Sequence, residues 1–147
     1  MIMIFHCKDG TLQLNEDLTL SPTMSKKEIL SQKVIWEEWY PRVNGIAFNY
    51  KAVVNIKNTH SYERVTVIIN FNGESLEKSL LKSWLFAPSN KFSGLQKKPD
   101  GPTTKSLRKW FESKTDITLP AIGDWGEIDA AYDPHNQTAE IVCQYTQ

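Results

Sequence analysis

Apolar and polar residues alternate most clearly after Gly45, where Ile46, Phe48, Tyr50, Ala52, Val54 and Ile56 interleave with Ala47, Asn49, Lys51, Val53, Asn55 and Lys57. A period of two over twelve residues predicts a long antiparallel strand with one face buried and one solvated. Val65, Val67, Ile69 and Phe71 continue the pattern beyond a turn at 58–61, and Asn72-Gly73 marks a hairpin. From Leu76 to Phe86 the apolar spacing fits either a helix or one strand face, and the position after an Asn-Gly turn favours a strand. At the N-terminus, Ile2 and Ile4 are joined to Leu12 and Leu14 through Asp9-Gly10, a second hairpin signal. Ser25 and Glu28 have the spacing of a capping box, so a helix is expected from Lys26 to about Gln32; Ile35, Trp36 and Trp39 would allow it to continue to Tyr40, before Pro41. Thr104 caps a second helix, on which Leu107, Trp110 and Phe111 form an apolar stripe. The chain ends with strands from Trp125 to Tyr132 and from Ala139 to Tyr145, joined by a turn at 133–136. The expected fold is therefore α+β, a single domain over 1–147 in the order ββαβββαββ, with an antiparallel sheet of about six or seven strands and two helices on one face.

Length and composition agree with one core. The chain has 147 residues, of which 40% are hydrophobic, and at that size folding buries roughly 68–70% of the unfolded surface. No apolar run approaches the 18 or more residues a membrane span needs. The first ten residues lack a basic start and a cleavage site, so a cytoplasmic protein is expected. Cys7 and Cys143 have no metal spacing and read as reduced core thiols, unless pairing of the terminal strands brings them together.

Candidate catalytic chemistry is thin. His6 and Cys7 are neighbours in an expected strand and so point to opposite faces. No histidine pair has ligand spacing, no C-x-x-C occurs, and no glycine-rich phosphate loop is present. No catalytic residue, metal or cofactor is expected. Trp84, Trp110 and Trp125 sit at apolar positions and belong to the core; the run from Trp36 to Tyr40 reads as core packing before it reads as a binding edge.

Charge changes this picture. Basic and acidic residues number 17 each, but not evenly along the chain. Up to Glu77, eight basic residues face nine acidic ones, a net of −1; from Lys78 to Phe111, eight face Asp100 alone, a net of +7; from Glu112 onward, Lys114 faces seven acids, a net of −6. If the two extreme segments were simply neighbours, their exposed pairs would contribute only about 0–1 kcal/mol each. A charged patch that steers a partner is the sharper explanation, since such fields speed association by about 10–1,000-fold. The acidic candidates are Asp124, Glu127, Asp129 and Asp133, which would suit a basic protein such as a nuclease; the basic candidates are Lys97, Lys98 and Arg108. An alternative is a small-ligand or nucleic-acid module using the basic loop and helix at 91–109, gated by the Pro- and Gly-rich stretch 87–104. Nucleic acid is the weaker partner, because pI is about 6.8 and no recognition motif is present.

The segments GTLQLN, MSKKEIL and LRKWFES, with the ending GDWGEIDAAYDPHNQTAEIVCQY, resemble small single-domain immunity proteins of bacterial toxin systems. The W-G-x-I-x-x-x-Y-D run and its hairpin carry most of the likeness. The resemblance implies a cytoplasmic, non-enzymatic protein that binds and blocks a cognate toxin domain.

Overall fold

Alternation builds the larger of two sheets. The computed structural model describes residues 3–38, 49–57, 62–88, 104–134 and 138–146. In it, β4 (Glu37–Glu38), β5 (Asn49–Lys57), β6 (Tyr62–Phe71), β7 (Leu81–Pro88), β8 (Ala121–Gly123), β9 (Gly126–Asp133) and β10 (Thr138–Tyr145) form an antiparallel sheet ordered β4-β5-β6-β7-β10-β9-β8. A smaller sheet holds β1 (Ile4–His6), β2 (Thr11–Gln13) and β3 (Thr19–Leu20). The described helices are α1 (Lys26–Leu30) and α2 (Thr104–Thr115). The fold is α+β, as expected.

Register turns the period of two into a core. Ala52, Val67, Phe86, Ile141 and Ala130 stand opposite one another across five strands, and Ile69, Trp84, Cys143 and Ile128 form the next row. All of these are buried. Phe5, Leu12, Leu14, Leu18 and Leu20 of the small-sheet region join them, as do Ile29 of α1 and Leu107, Trp110 and Phe111 of α2. Phe86 meets both Trp110 and Phe111, and Phe5 meets Phe111 and Trp125. Two polar groups within this core are satisfied in series: Trp84 Nε1 donates to Tyr145 Oη at 2.8 Å, and Tyr145 Oη donates to the Gly10 carbonyl at 2.6 Å; the Trp36 indole N–H, also buried, has no partner among the described residues. Burial pushes the Tyr145 hydroxyl far above its usual range, so it remains a donor.

Several expectations are corrected. The first helix stops at Leu30, well short of Tyr40, because Gln32 turns its side chain onto β3, accepting from Thr19 N and donating to Thr19 O, both at 2.8 Å. Glu37 and Glu38 are then an edge strand, and Ile35 is 92% exposed. The ambiguous 76–86 segment divides. Leu81–Pro88 is a strand, whereas the carbonyls of Leu76 and Ser79 accept from Lys27 N and Lys26 N at 2.7 and 2.9 Å. Together with the capping box of Ser25 and Glu28, these satisfy the first N–H groups of α1. The register of β7 against β6 shifts between Asn70 and Phe71, so Leu81 and Trp84 are both buried although three apart. β3 and β8 are short strands additional to those expected. Cys143 is buried and its thiol is pushed up to about 12, but Cys7 is exposed rather than in the core, and both are free. The start of the long strand at 46–48, Trp39, and most of the 87–104 loop lie outside the described residues.

Candidate partner interface

Trp125 sets the position of the C-terminal strands. Its indole donates to the Cys7 carbonyl at 2.6 Å, and the ring packs so closely on Gly10 that a Cβ there would lie 2.8 Å from it. The small sheet is thereby clamped against the large one. Next to it, Gly126 has φ +139, and any Cβ would collide with the Gln144 carbonyl as β9 meets β10.

Past that point alternation sorts the side chains. Ile128 and Ala130 face the core, so Glu127, Asp129, Ala131 and Asp133 face the other way. On β10, Glu140 is directly opposite Ala131, Val142 opposite Asp129, and Gln144 opposite Glu127. Three of the four sequence-predicted acids therefore share one sheet face, with Glu140 between Asp129 and Asp133. Asp124 lies in the β8–β9 turn and is exposed. A shallow groove of about 310 Å³ opens nearby, lined by residues that include Ile122, Glu127 and Gln144.

Of the basic candidates, Arg108 is brought to the acids. Its Nε donates to Asp129 Oδ1 at 3.1 Å and its Nη2 to Oδ2 at 3.3 Å. Asp129 Oδ1 also accepts from Ala130 N at 2.8 Å. Both side chains are more than a third exposed, so the pair contributes about 0–1 kcal/mol, but it joins the basic helix to the acidic strand. Lys97 and Lys98 lie outside the described residues.

Glu140 was counted in the charge sum without being singled out. Its carboxyl is held above the ordinary carboxylate range, first by burial and then by repulsion from Asp133. Among the described residues no cation or hydrogen-bond donor pairs with it. The signal in the sequence was its parity with Val142 and Gln144, opposite to that of Ile141, Cys143 and Tyr145. Among the described residues no group of three His, Cys, Asp or Glu side chains could hold a metal ion, and no helix is long and apolar enough to cross a membrane.

One side of the large sheet thus carries the core contacts of α2, and the other carries Glu127, Asp129, Asp133 and Glu140. The chain belongs to the RhsI1 immunity protein family, whose model matches residues 3–147. It is also similar to a chain in the solved structure of Rhs1-CT in complex with cognate immunity protein RhsI1, with 39% identity and a TM-score of 0.81 over 98% of this chain and 87% of that one. No curated protein matches it. The resemblance to bacterial immunity proteins thus holds over nearly the whole chain.

Proposed function

We propose that this protein binds a cognate Rhs C-terminal toxin domain and neutralises it by occupying its surface, with no catalysis of its own. The observation that carries the reading is membership of the RhsI1 immunity family over residues 3–147, and the likeness to an immunity protein described in complex with Rhs1-CT supports it. The acids refine it. Asp124, Glu127, Asp129 and Asp133 present negative charge from the turn and outer face of β9, which suits a toxin whose own surface is basic, as that of a nuclease must be to hold a polyanion. Arg108 and Asp129 engage one another, so the acidic version rests on Asp124, Glu127 and Asp133, and the basic alternative would rest on Lys97 and Lys98. Neutralisation of a nuclease would take place in the cytoplasm.

The test is co-production of the chain with its cognate toxin domain in a sensitive host, together with titration of the purified pair. Growth should be restored and a stoichiometric complex should form. Reversing Glu127 and Asp133 together to Lys should weaken the complex by at least about tenfold. Unchanged affinity would eliminate the acidic-face version, and failure of the unsubstituted chain to bind would eliminate the reading itself.

A further inference from the structure

The elements that cover the seven-stranded sheet do so on one side. Phe111 and Trp110 of α2 reach Phe86, Lys26 of α1 lies over the Tyr50 and Phe71 rings, and the small sheet reaches Trp125 and Tyr145. All of these contacts are on the face of Ile69, Trp84 and Cys143. On the opposite face Ile68, Leu85 and Val142 are adjacent across β6, β7 and β10, each partly exposed. Val53 is 61% exposed on the same face, and Ala131 is exposed beside Glu140. Arg108 of α2 reaches Asp129 at the margin of this face. The face is an apolar strip bordered by the carboxylates of β9, with Glu140 at its margin.

We infer that this sheet face is where the toxin docks, and that a single Lys or Arg of the toxin, flanked by apolar side chains, seats on Glu140. The inference rests on the immunity reading above. Of the other charges on or beside the face, Lys51 is paired with Glu37 at 3.3 Å and Arg108 with Asp129, whereas Arg64 and Glu127 are exposed to solvent. On this face Glu140 combines partial burial with no partner among the described residues. A half-desolvated, uncompensated carboxylate costs free energy in the free chain, and that cost is offset when a cation arrives and the flanking apolar side chains exclude water from the pair. The same carboxylates disfavour other occupants. A second copy on a two-fold axis would bring like charges together, and nucleic acid or an anionic lipid surface would be repelled.

The experiment uses the full chain and its purified cognate toxin domain, with affinities measured by calorimetry for Glu140→Gln, Glu140→Lys, Val53→Lys and, as a control away from the face, Leu76→Lys. Thermal unfolding confirms that each variant is folded, and sedimentation reports self-association. Glu140→Gln and Val53→Lys should each weaken binding by at least about tenfold, Glu140→Lys by about a hundredfold or more, and Leu76→Lys by less than about twofold. Wild-type affinity in both Glu140→Gln and Val53→Lys would overturn the docking face and leave the immunity reading intact. If the unsubstituted chain does not bind the toxin domain, both fall. A concentration-dependent dimer abolished by Val53→Lys would assign the face to a second copy and overturn the inference.

Discussion

A carboxylate held half out of water works against the fold that holds it. Burial raises the Glu140 pKa, and repulsion from Asp133 adds to the effect, while Arg108 is engaged with Asp129. In the folded chain this group binds protons more readily than in the unfolded chain. Its contribution to stability is therefore most favourable below the unfolded value and is lost as pH rises through the folded one. Glu140→Gln should be more stable than the unsubstituted protein at neutral pH, and the difference should shrink as pH falls towards about 4, the ordinary range for Glu. Denaturant unfolding of both proteins across that range measures it. A variant less stable at neutral pH would mean that the carboxylate is compensated within the chain. Asp9 works in the opposite direction: the Thr11 backbone N–H donates to it at 3.0 Å and holds its carboxyl below the usual range. Its contribution is lost as pH falls, and it is present in both proteins, so it cancels from the comparison.

At the scale of elements, what was legible depended on whether a local rule decided the outcome. The Ser25 and Glu28 capping box, the alternation of β5 and β6, and the apolar stripe of α2 are local, and among the described residues each element lies where its pattern put it. The end of α1 is not local, because it depends on Gln32 finding the backbone of Thr19, thirteen residues earlier. Nor is the bulge before Ser83, which spoils both the helical and the strand period of 76–86 and so explains why neither fitted. The acids of β9 were legible as charge, but their pairing was not: that Arg108 takes Asp129, while Glu140 has no partner among the described residues, follows only from register and from where α2 packs. Gly126 illustrates a close approach that the sequence marks only as a glycine after a tryptophan. With φ +139 and the Gln144 carbonyl in the way, Gly126→Ala should lose about 1–3 kcal/mol. A thermal midpoint lower by several degrees checks this, and an unchanged midpoint would mean that the β8–β9 turn can relax without cost.

For the whole molecule, a net charge of zero leaves the local fields to decide how a partner approaches. The Arg108–Asp129 pair shows that the basic and acidic segments do touch, so part of their separation along the chain is cancelled in space. Yet Lys105 and Lys109 remain exposed on α2, while Asp124 and Glu127 remain exposed at the other end of the same region. The described surface therefore presents exposed charges of both signs, and such charges orient a charged partner only within a Debye length. Raising ionic strength from about 0.01 M to 1 M shortens that length from about 30 Å to 3 Å. Stopped-flow association with the toxin domain should therefore slow by at least about tenfold over that range. Dissociation should change far less, because Glu140 and its cation would be shielded from salt by the flanking apolar side chains. Equal sensitivity of both rates would place the decisive ion pairs at the exposed rim. A salt-independent association rate would reduce the charge segregation to neighbours neutralising one another, and would leave the apolar strip as the main source of affinity.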